Sequence, residues 1–131
     1  MRNTLFNIIN YSYYFLIIIL VTLYLFPGSI IGYFLYGDLG KQPIIIENPL
    51  GTSINHTLYF FFLSSLGLLI GEKTKKFISS LYFIFLLSIL LEIFHLIVPN
   101  RAFEFIDLFG NILGVFMGLI FIKFLKWLGS I

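Results

Sequence analysis

The chain contains no cysteine and few charged residues, and both absences narrow what it can do. Without cysteine among its 131 residues, it can form no disulfide, no thiolate metal site and no cysteine nucleophile. Charged residues make up only 11% of the chain, and the formal net charge is +2. A nucleic-acid groove needs a larger excess of lysine and arginine, interleaved with exposed aromatic side chains. We therefore expect no nucleic-acid partner.

Apolar and aromatic residues are abundant instead. Hydrophobic residues make up 60% of the chain and aromatic residues 20%, including 17 phenylalanines, and the mean hydropathy is +1.03. A single water-soluble core of this size cannot bury so many rings, whereas a bilayer accepts them as lipid-facing and interfacial side chains. The composition predicts one integral membrane domain, residues 1–131.

Four apolar stretches are long enough to be membrane spans, since about 20 helical residues cross about 30 Å of hydrocarbon. The first stretch ends at Pro27-Gly28 and the third at Pro99. Lipid offers the backbone no hydrogen-bond partner, so each stretch is expected to be helical. A signal peptide is the alternative for the first stretch, but no small-x-small cleavage site follows it. The predicted fold class is an all-α membrane protein with four transmembrane helices: Ile8 to Phe26, Ile54 to Ile70, Phe77 to Val98 and Ile106 to Leu125.

Basic residues predict the orientation, because cytoplasmic loops carry more lysine and arginine than outer loops. Only Lys41 and Arg101 lie in the connections on one side of the predicted membrane. The remaining basic residues lie on the opposite side, and they are Arg2, Lys73, Lys75, Lys76, Lys123 and Lys126. Both termini are therefore predicted to be cytoplasmic, in a multi-pass membrane protein.

The long outer connection from Gly28 to Ser53 is too apolar for an ordinary loop. It holds the apolar runs 30–36 and 44–46, the second of which lies between Pro43 and Pro49. The first run is too short to cross a bilayer. The connection is therefore predicted to lie on the outer interface or to dip into it.

Polar residues predicted to lie near the outer surface form the candidate functional site. An ionisable side chain at the bilayer centre costs about 2.5–3.5 kcal/mol on insertion scales, so such residues in spans are by default functional candidates. Glu92 lies well inside the third apolar stretch and needs a partner, for which Arg101 and His95 are the candidates. The predicted ligand-binding residues are His56, Glu92, His95, Arg101, Asp107 and Asn111. The alternative is a structural ion-pair network that only joins the third and fourth spans.

Helical spacing places polar and small residues of the fourth span on one face. At about 100° per residue, Asp107, Asn111, Gly114 and Gly118 fall within a narrow stripe. A polar stripe must face protein and not lipid, and a G-x-x-x-G pair lets a neighbouring helix approach closely. Gly114 and Gly118 are therefore predicted to pack against the second or third span.

Metal binding is a weaker interpretation of the same cluster. Histidine and carboxylate side chains are suitable ligand types, but the chain lacks the H-x-x-x-H spacing that would place two histidines on one helix face. We expect no metal and no cofactor. The residues that would otherwise be candidates are His56, His95, Glu92 and Asp107.

The order of these residues is similar to that of a known family. It runs Glu-x-x-polar, Pro-x-Arg, then Asp-x-x-x-Asn-x-x-Gly-x-x-x-Gly, carried by Glu92, His95, Pro99, Arg101, Asp107, Asn111, Gly114 and Gly118. This pattern resembles the VanZ-like membrane proteins, named for an accessory protein associated with teicoplanin resistance. The family usually has Gln at the position of His95 and Gly at that of Asn100. His56 fits the family's earlier motif, whereas Thr52 and Ser53 occupy the places of its Asp and Lys.

The resemblance implies a small four-helix protein of the cell envelope, in a bacterial cytoplasmic membrane. Three functions remain open for it. The first is a binding module whose Arg101, with His56 and His95, holds an anionic headgroup such as a phosphate of a lipid carrier, since a guanidinium binds two oxygens together. The second is an enzyme acting on such a lipid, with Glu92 or Asp107 as general base. The third is an accessory subunit of a larger membrane complex. Membrane lipids and membrane proteins are the expected partners.

Overall fold

The computed structural model describes residues 2–41 and 53–129, and its regular structure there is entirely helical. The elements are α1 (Arg2–Leu25), α2 (Ile30–Tyr36), α3 (Ser53–Thr74), a 3₁₀ turn (Phe77–Ser79), α4 (Leu81–Phe94) and α5 (Phe105–Trp127). Three helical segments are long and apolar enough to cross a membrane: Thr4–Leu25, Ser53–Thr74 and Phe105–Trp127. The predicted all-α class is therefore confirmed for the described residues, and three of the four predicted spans are long and apolar enough to cross a membrane.

The third predicted span is shorter than the sequence indicated. The helix α4 has 14 residues, which is about 21 Å at about 1.5 Å per residue, whereas the apolar stretch runs from Phe77 to Val98. Its start is delayed by the 3₁₀ turn and is capped by Ser80, whose hydroxyl accepts a bond of 3.2 Å from the Phe83 amide. Its end comes at His95, whose amide donates to the Glu92 carbonyl three residues earlier. The last apolar residues thus continue as tight turns ahead of Pro99.

α3 is the central helix of the bundle and packs mainly on α5. The buried share of the apolar window is 44% for α3 and 39% for α5, but only 17% for α1. α1 is therefore the most exposed of the three long helices. The core between the helices consists of Tyr13, Leu20, Tyr24, Phe60, Leu63, Ile70, Ile84, Leu91 and Val115.

Glycines form the seam between α5 and α3, as predicted for Gly114 and Gly118. A Cβ added to Gly114 would lie 2.9 Å from the Phe60 Cβ, and one added to Gly118 would lie 3.0 Å from the Ser64 Cβ. The seam extends one turn further than predicted, because a Cβ on Gly110 would lie 2.7 Å from the Ser53 carbonyl oxygen. Gly114 and Gly118 were predicted to pack against the second or third span, and their neighbours are residues of α3, the second.

The described part of the outer connection folds into the short helix α2. Ser29 caps it by accepting a bond of 2.9 Å from the Gly32 amide, and Gly37 ends it with a φ of 70°. After α2 the chain folds back to the start of this helix, where the Ser29 amide donates to the Leu39 carbonyl at 2.7 Å. Exposed apolar side chains cover α2, as expected for a segment on an interface: Tyr33, Phe34, Leu35 and Tyr36. The predictions for Pro43, Ile44 to Ile46, Pro49 and Thr52 fall outside the described residues.

Candidate functional site

One end of the bundle collects the predicted polar residues. α1 and α4 end there, and α3 and α5 begin there. The side chains meet because each lies within about two turns of one of those helix ends. Five of the six predicted ligand-binding residues are buried, with exposed fractions of 7% or less: His56, Glu92, His95, Asp107 and Asn111.

Asp107 is held in the first turn of α5 by two groups of α3. The Ser53 hydroxyl donates to its Oδ1 at 2.6 Å, and His56 Nε2 lies 3.4 Å from its Oδ2. The amino end of a helix also favours a carboxylate, because unpaired N–H groups and the helix dipole point toward it. Asp107 is thus fully engaged within the protein and ties α5 to the start of α3.

Glu92 lies completely buried between the two histidines. His95 Nδ1 donates to its Oε1 at 3.2 Å, and the Glu104 amide donates to the same oxygen at 3.2 Å. The other oxygen, Oε2, lies 3.7 Å from His56 Nδ1 and has no hydrogen-bond partner within the described residues. A carboxylate removed from water needs such partners, so Glu92 depends on both rings. Of the two partners suggested from the sequence, Arg101 and His95, it is His95 that contacts Glu92.

Tyr24 joins the two histidines to Asn111. Its hydroxyl donates to Asn111 Oδ1 at 2.7 Å and lies 2.9 Å from His56 Nδ1. Its ring stacks on His95, with centroids 5.3 Å apart and an angle of 16° between the planes. Asn111 in turn donates from Nδ2 to the Ser88 carbonyl at 3.1 Å. The network therefore connects α1, α3, α4 and α5.

Two members of this network were not predicted as site residues. Tyr24 lies in the last turn of α1, before Pro27-Gly28, so its depth in the membrane was readable from the sequence. Its orientation toward the polar cluster was not. Ser53 was noted only as the residue at a position where the family has a lysine. Its hydroxyl instead supplies the hydrogen bond to Asp107.

Arg101 does not make the carboxylate ion pair that the sequence suggested. Its Nη2 donates to the Leu23 carbonyl at 2.7 Å and its Nε donates to the Phe26 carbonyl at 3.4 Å. Among the described residues no carboxylate lies within ion-pair distance of it. The final carbonyls of a helix lack donors and carry the negative end of its dipole, so a guanidinium is stabilised there. Burial lowers the pKa of Arg101, yet a guanidinium stays protonated at any physiological pH.

A small cavity of about 60 Å³ opens beside this network. It has room for several water molecules, each needing about 10–15 Å³ by this measure. α2 contributes apolar wall residues, and neither Glu92 nor Asp107 lines the cavity. The lining residues are Leu23, Tyr24, Ser29, Ile30, Ile31, Asn55, His56, Tyr59, His95 and Arg101. Its polar lining is therefore rich in hydrogen-bond donors, and the carboxylates lie behind the histidine rings.

His95 has the chemistry to act on a group in this cavity. Its Nδ1 is taken by Glu92, while its Nε2 is buried and has no hydrogen-bond partner within the described residues. A histidine oriented by a carboxylate on one nitrogen can donate or accept a proton through the other. Across the described residues, no three histidine or carboxylate groups are arranged to hold a metal ion.

Comparisons of the chain with protein-family models, with curated proteins and with solved structures give no match. The resemblance to VanZ-like proteins thus rests on the residue pattern alone and stays a prediction.

Proposed function

We propose that the cavity binds the anionic headgroup of a lipid or of a lipid-linked molecule that enters from the outer leaflet. The observation that carries this proposal is that Arg101, His56 and His95 line one cavity from which both carboxylates are absent. A phosphate there meets a permanent cation and the unpartnered His95 Nε2, which donates to it when the ring is protonated. The histidine rings separate it from Glu92 and Asp107. Repulsion by the carboxylates, the main argument against an anion, is reduced accordingly.

Arg101 suits an anion even though it also caps α1. A guanidinium carries five N–H donors, and its two bonds to α1 carbonyls use only part of them. The remaining donors are available for oxygens of a phosphate, with which guanidinium forms strong charge-assisted hydrogen bonds. Anchoring by the helix end also holds the guanidinium in position before a ligand arrives, which lowers the entropic cost of binding.

α2 supplies the membrane side of the proposed site. Ile30 and Ile31 line the cavity, while the aromatic side chains that follow them are exposed, Phe34 at 81%. Tyrosine and phenylalanine at the surface of a membrane protein favour the headgroup region. α2 can therefore lie in the interface over a lipid whose headgroup occupies the cavity and whose acyl chain stays in the bilayer.

The proposal includes a multi-pass topology with four spans, with both termini in the cytoplasm of a bacterial cell. α4 would cross with the help of the 3₁₀ turn before it and the turns after it, since the helix alone is shorter than the hydrocarbon layer. In support, the described lysines other than Lys41 gather at the end of the bundle opposite the cavity. Lys73 lies over the Phe6 ring at 4.8 Å and Lys126 pairs with Glu72. Positive residues collect on the cytoplasmic side of membrane proteins.

Cysteine labelling tests this topology without interference, because the native chain has no cysteine. We expect Lys76→Cys to react with an impermeant maleimide only after the cells are opened, and Lys41→Cys to react in intact cells. Both side chains are exposed, so access to reagent depends on the side of the membrane. Labelling of both positions from the same side would contradict the topology, and the cavity could then not be assigned to the outer leaflet.

The binding proposal predicts that Arg101→Gln loses most of the co-purified phosphorylated polyprenol or phospholipid in native mass spectrometry. Loss of a charge-assisted hydrogen bond of about 1.5–3 kcal/mol lowers the affinity by about 10- to 150-fold. Lys41→Gln removes the same charge from the same end but outside the cavity, and it should retain the lipid. Arg101→Lys keeps the charge without the planar fork and should retain an intermediate amount.

Equal retention by the parent, Arg101→Gln and Lys41→Gln would refute headgroup binding and favour the accessory-subunit alternative.

Catalysis is a second candidate function, because the buried His95 Nε2 has no hydrogen-bond partner within the described residues. Under that alternative, purified protein would dephosphorylate an added polyprenyl phosphate and His95→Gln would not, although both would still bind it. Binding without any product would leave the binding module as the better account.

A further inference from the structure

A second cavity lies at the lysine-rich end of the bundle, away from the site described above. Its volume is about 400 Å³, and the carboxyl-terminal halves of α3 and α5 form its sides together with the 3₁₀ turn. Lys75, with a left-handed φ of 53°, ends α3 and turns the chain so that Ser79 packs against Gly71. The lining residues are Leu68, Gly71, Glu72, Lys75, Lys76, Phe77, Ser79, Ser80, Leu119, Ile122, Lys123 and Lys126.

Positive charge dominates the rim of this cavity. Four lysines line it against a single carboxylate, Glu72, which already pairs with Lys126. Lys75, Lys76 and Lys123 are exposed and have no carboxylate within ion-pair distance among the described residues. The rim therefore presents an excess of ammonium groups that an anion from outside the chain would offset.

The floor of the cavity is apolar. Leu68 comes from α3, and Leu119 and Ile122 come from α5, all of them nearer the middle of the bundle than the lysines. The cavity thus changes from basic to apolar along the helix axes. A free phosphate would use only the rim, whereas an amphiphile with an anionic head and an acyl chain would use both parts.

We propose that this cavity is a binding site for an anionic phospholipid of the leaflet on the lysine side. Its phosphate would lie between Lys75, directly after α3, and Lys123 on α5, and an acyl chain would run over Leu119. Basic pockets between membrane helices are suited to such headgroups, because the lysines act together with burial of the chain. The site is independent of the proposed function at the other end, and neither proposal depends on the other.

Native mass spectrometry from nanodiscs that contain phosphatidylglycerol and phosphatidylcholine tests this site. One lysine near an anionic headgroup is worth about fivefold in affinity, so Lys75→Gln combined with Lys123→Gln should lower retention of phosphatidylglycerol about 25-fold. The matched control is Lys73→Gln combined with Lys41→Gln, which removes the same charge. Lys73 is at the same end of α3 but lies over the Phe6 ring and not on the cavity. The control should retain phosphatidylglycerol as the parent does.

Three results would overturn the proposal. Equal losses in the two double variants would mean that net charge and not the cavity attracts the lipid, and no loss in either would mean that no lipid binds there. Displacement of phosphatidylglycerol by millimolar glycerol 1-phosphate would identify a soluble phosphate as the ligand.

A second variant tests the apolar floor of the cavity. Leu119→Trp fills the floor without changing the charge, so it should also lower retention of phosphatidylglycerol. Circular dichroism melting of each variant separates lost binding from lost folding.

Discussion

Replacing His56 with leucine is expected to lower the free energy of unfolding by about 1–3 kcal/mol, and by more where the stranded group is charged, because it leaves buried acceptors without the polar ring that lies beside them. His56 Nε2 lies 3.4 Å from Asp107 Oδ2, and its Nδ1 lies 3.7 Å from Glu92 Oε2. Leucine fills a similar volume but leaves both carboxylates without the ring between them. Glu92 Oε2 has no hydrogen-bond partner among the described residues, so the substitution also removes the polar ring nearest to it. Denaturation of the purified protein in detergent, followed by circular dichroism, measures the loss.

A double-mutant cycle distinguishes this charge effect from a simple packing defect. Asp107→Asn in the His56→Leu background removes one of the stranded charges and should recover part of the stability, with a coupling of about 0.5–3 kcal/mol. The corresponding cycle for Arg101→Gln and Glu92→Gln should be close to additive, because Arg101 bonds to carbonyls of α1 instead. Additive effects in the first cycle and strong coupling in the second would reverse this assignment of partners.

Gly114→Leu is the other substitution with a large expected effect, because it forces α5 away from α3. A Cβ at this position would lie 2.9 Å from both the Phe60 Cβ and the Phe61 backbone nitrogen, and backbone atoms cannot move aside as a flexible side chain can. Overpacking of a core costs about 1–3 kcal/mol and occasionally more. We expect a loss at the upper end of that range here. We also expect loss of the hydrogen bond from Asn111 to the Ser88 carbonyl, because Asn111 lies on α5 with Gly114 and would move with that helix.

The control for Gly114→Leu is Gly40→Leu, which adds the same side chain in the outer connection. A Cβ there would meet only Asp38 Oδ1, at 3.4 Å, and Gly40 has no left-handed backbone. Its melting temperature should equal that of the parent. A Gly114→Leu protein that melts with the parent would mean that close approach of α3 and α5 does not stabilise the bundle.

Hydropathy and helical spacing are local properties, and what depended on them was predicted well. Apolar length located the three long helices, and the Pro27-Gly28 pair marked the end of α1 within two residues. The angle between residues four apart is nearly constant along a helix, so Asp107, Asn111 and the glycines were placed on one face correctly. The end of α4 was predicted too late, at Val98, because the apolar residues beyond Phe94 are equally compatible with a helix and with tight turns.

The sequence by itself determined which residues lie at the polar end of the bundle, whereas only the tertiary structure decided which of them pair. Depth follows from counting residues along apolar stretches, because a helix rises by a constant amount per residue. Pairing depends on how neighbouring helices are rotated and on which groups are already satisfied. Arg101 could have bonded to a carboxylate or to the end of α1, and Tyr24 could have faced lipid. Their actual partners follow from the packing of four helices, and no single segment encodes that packing.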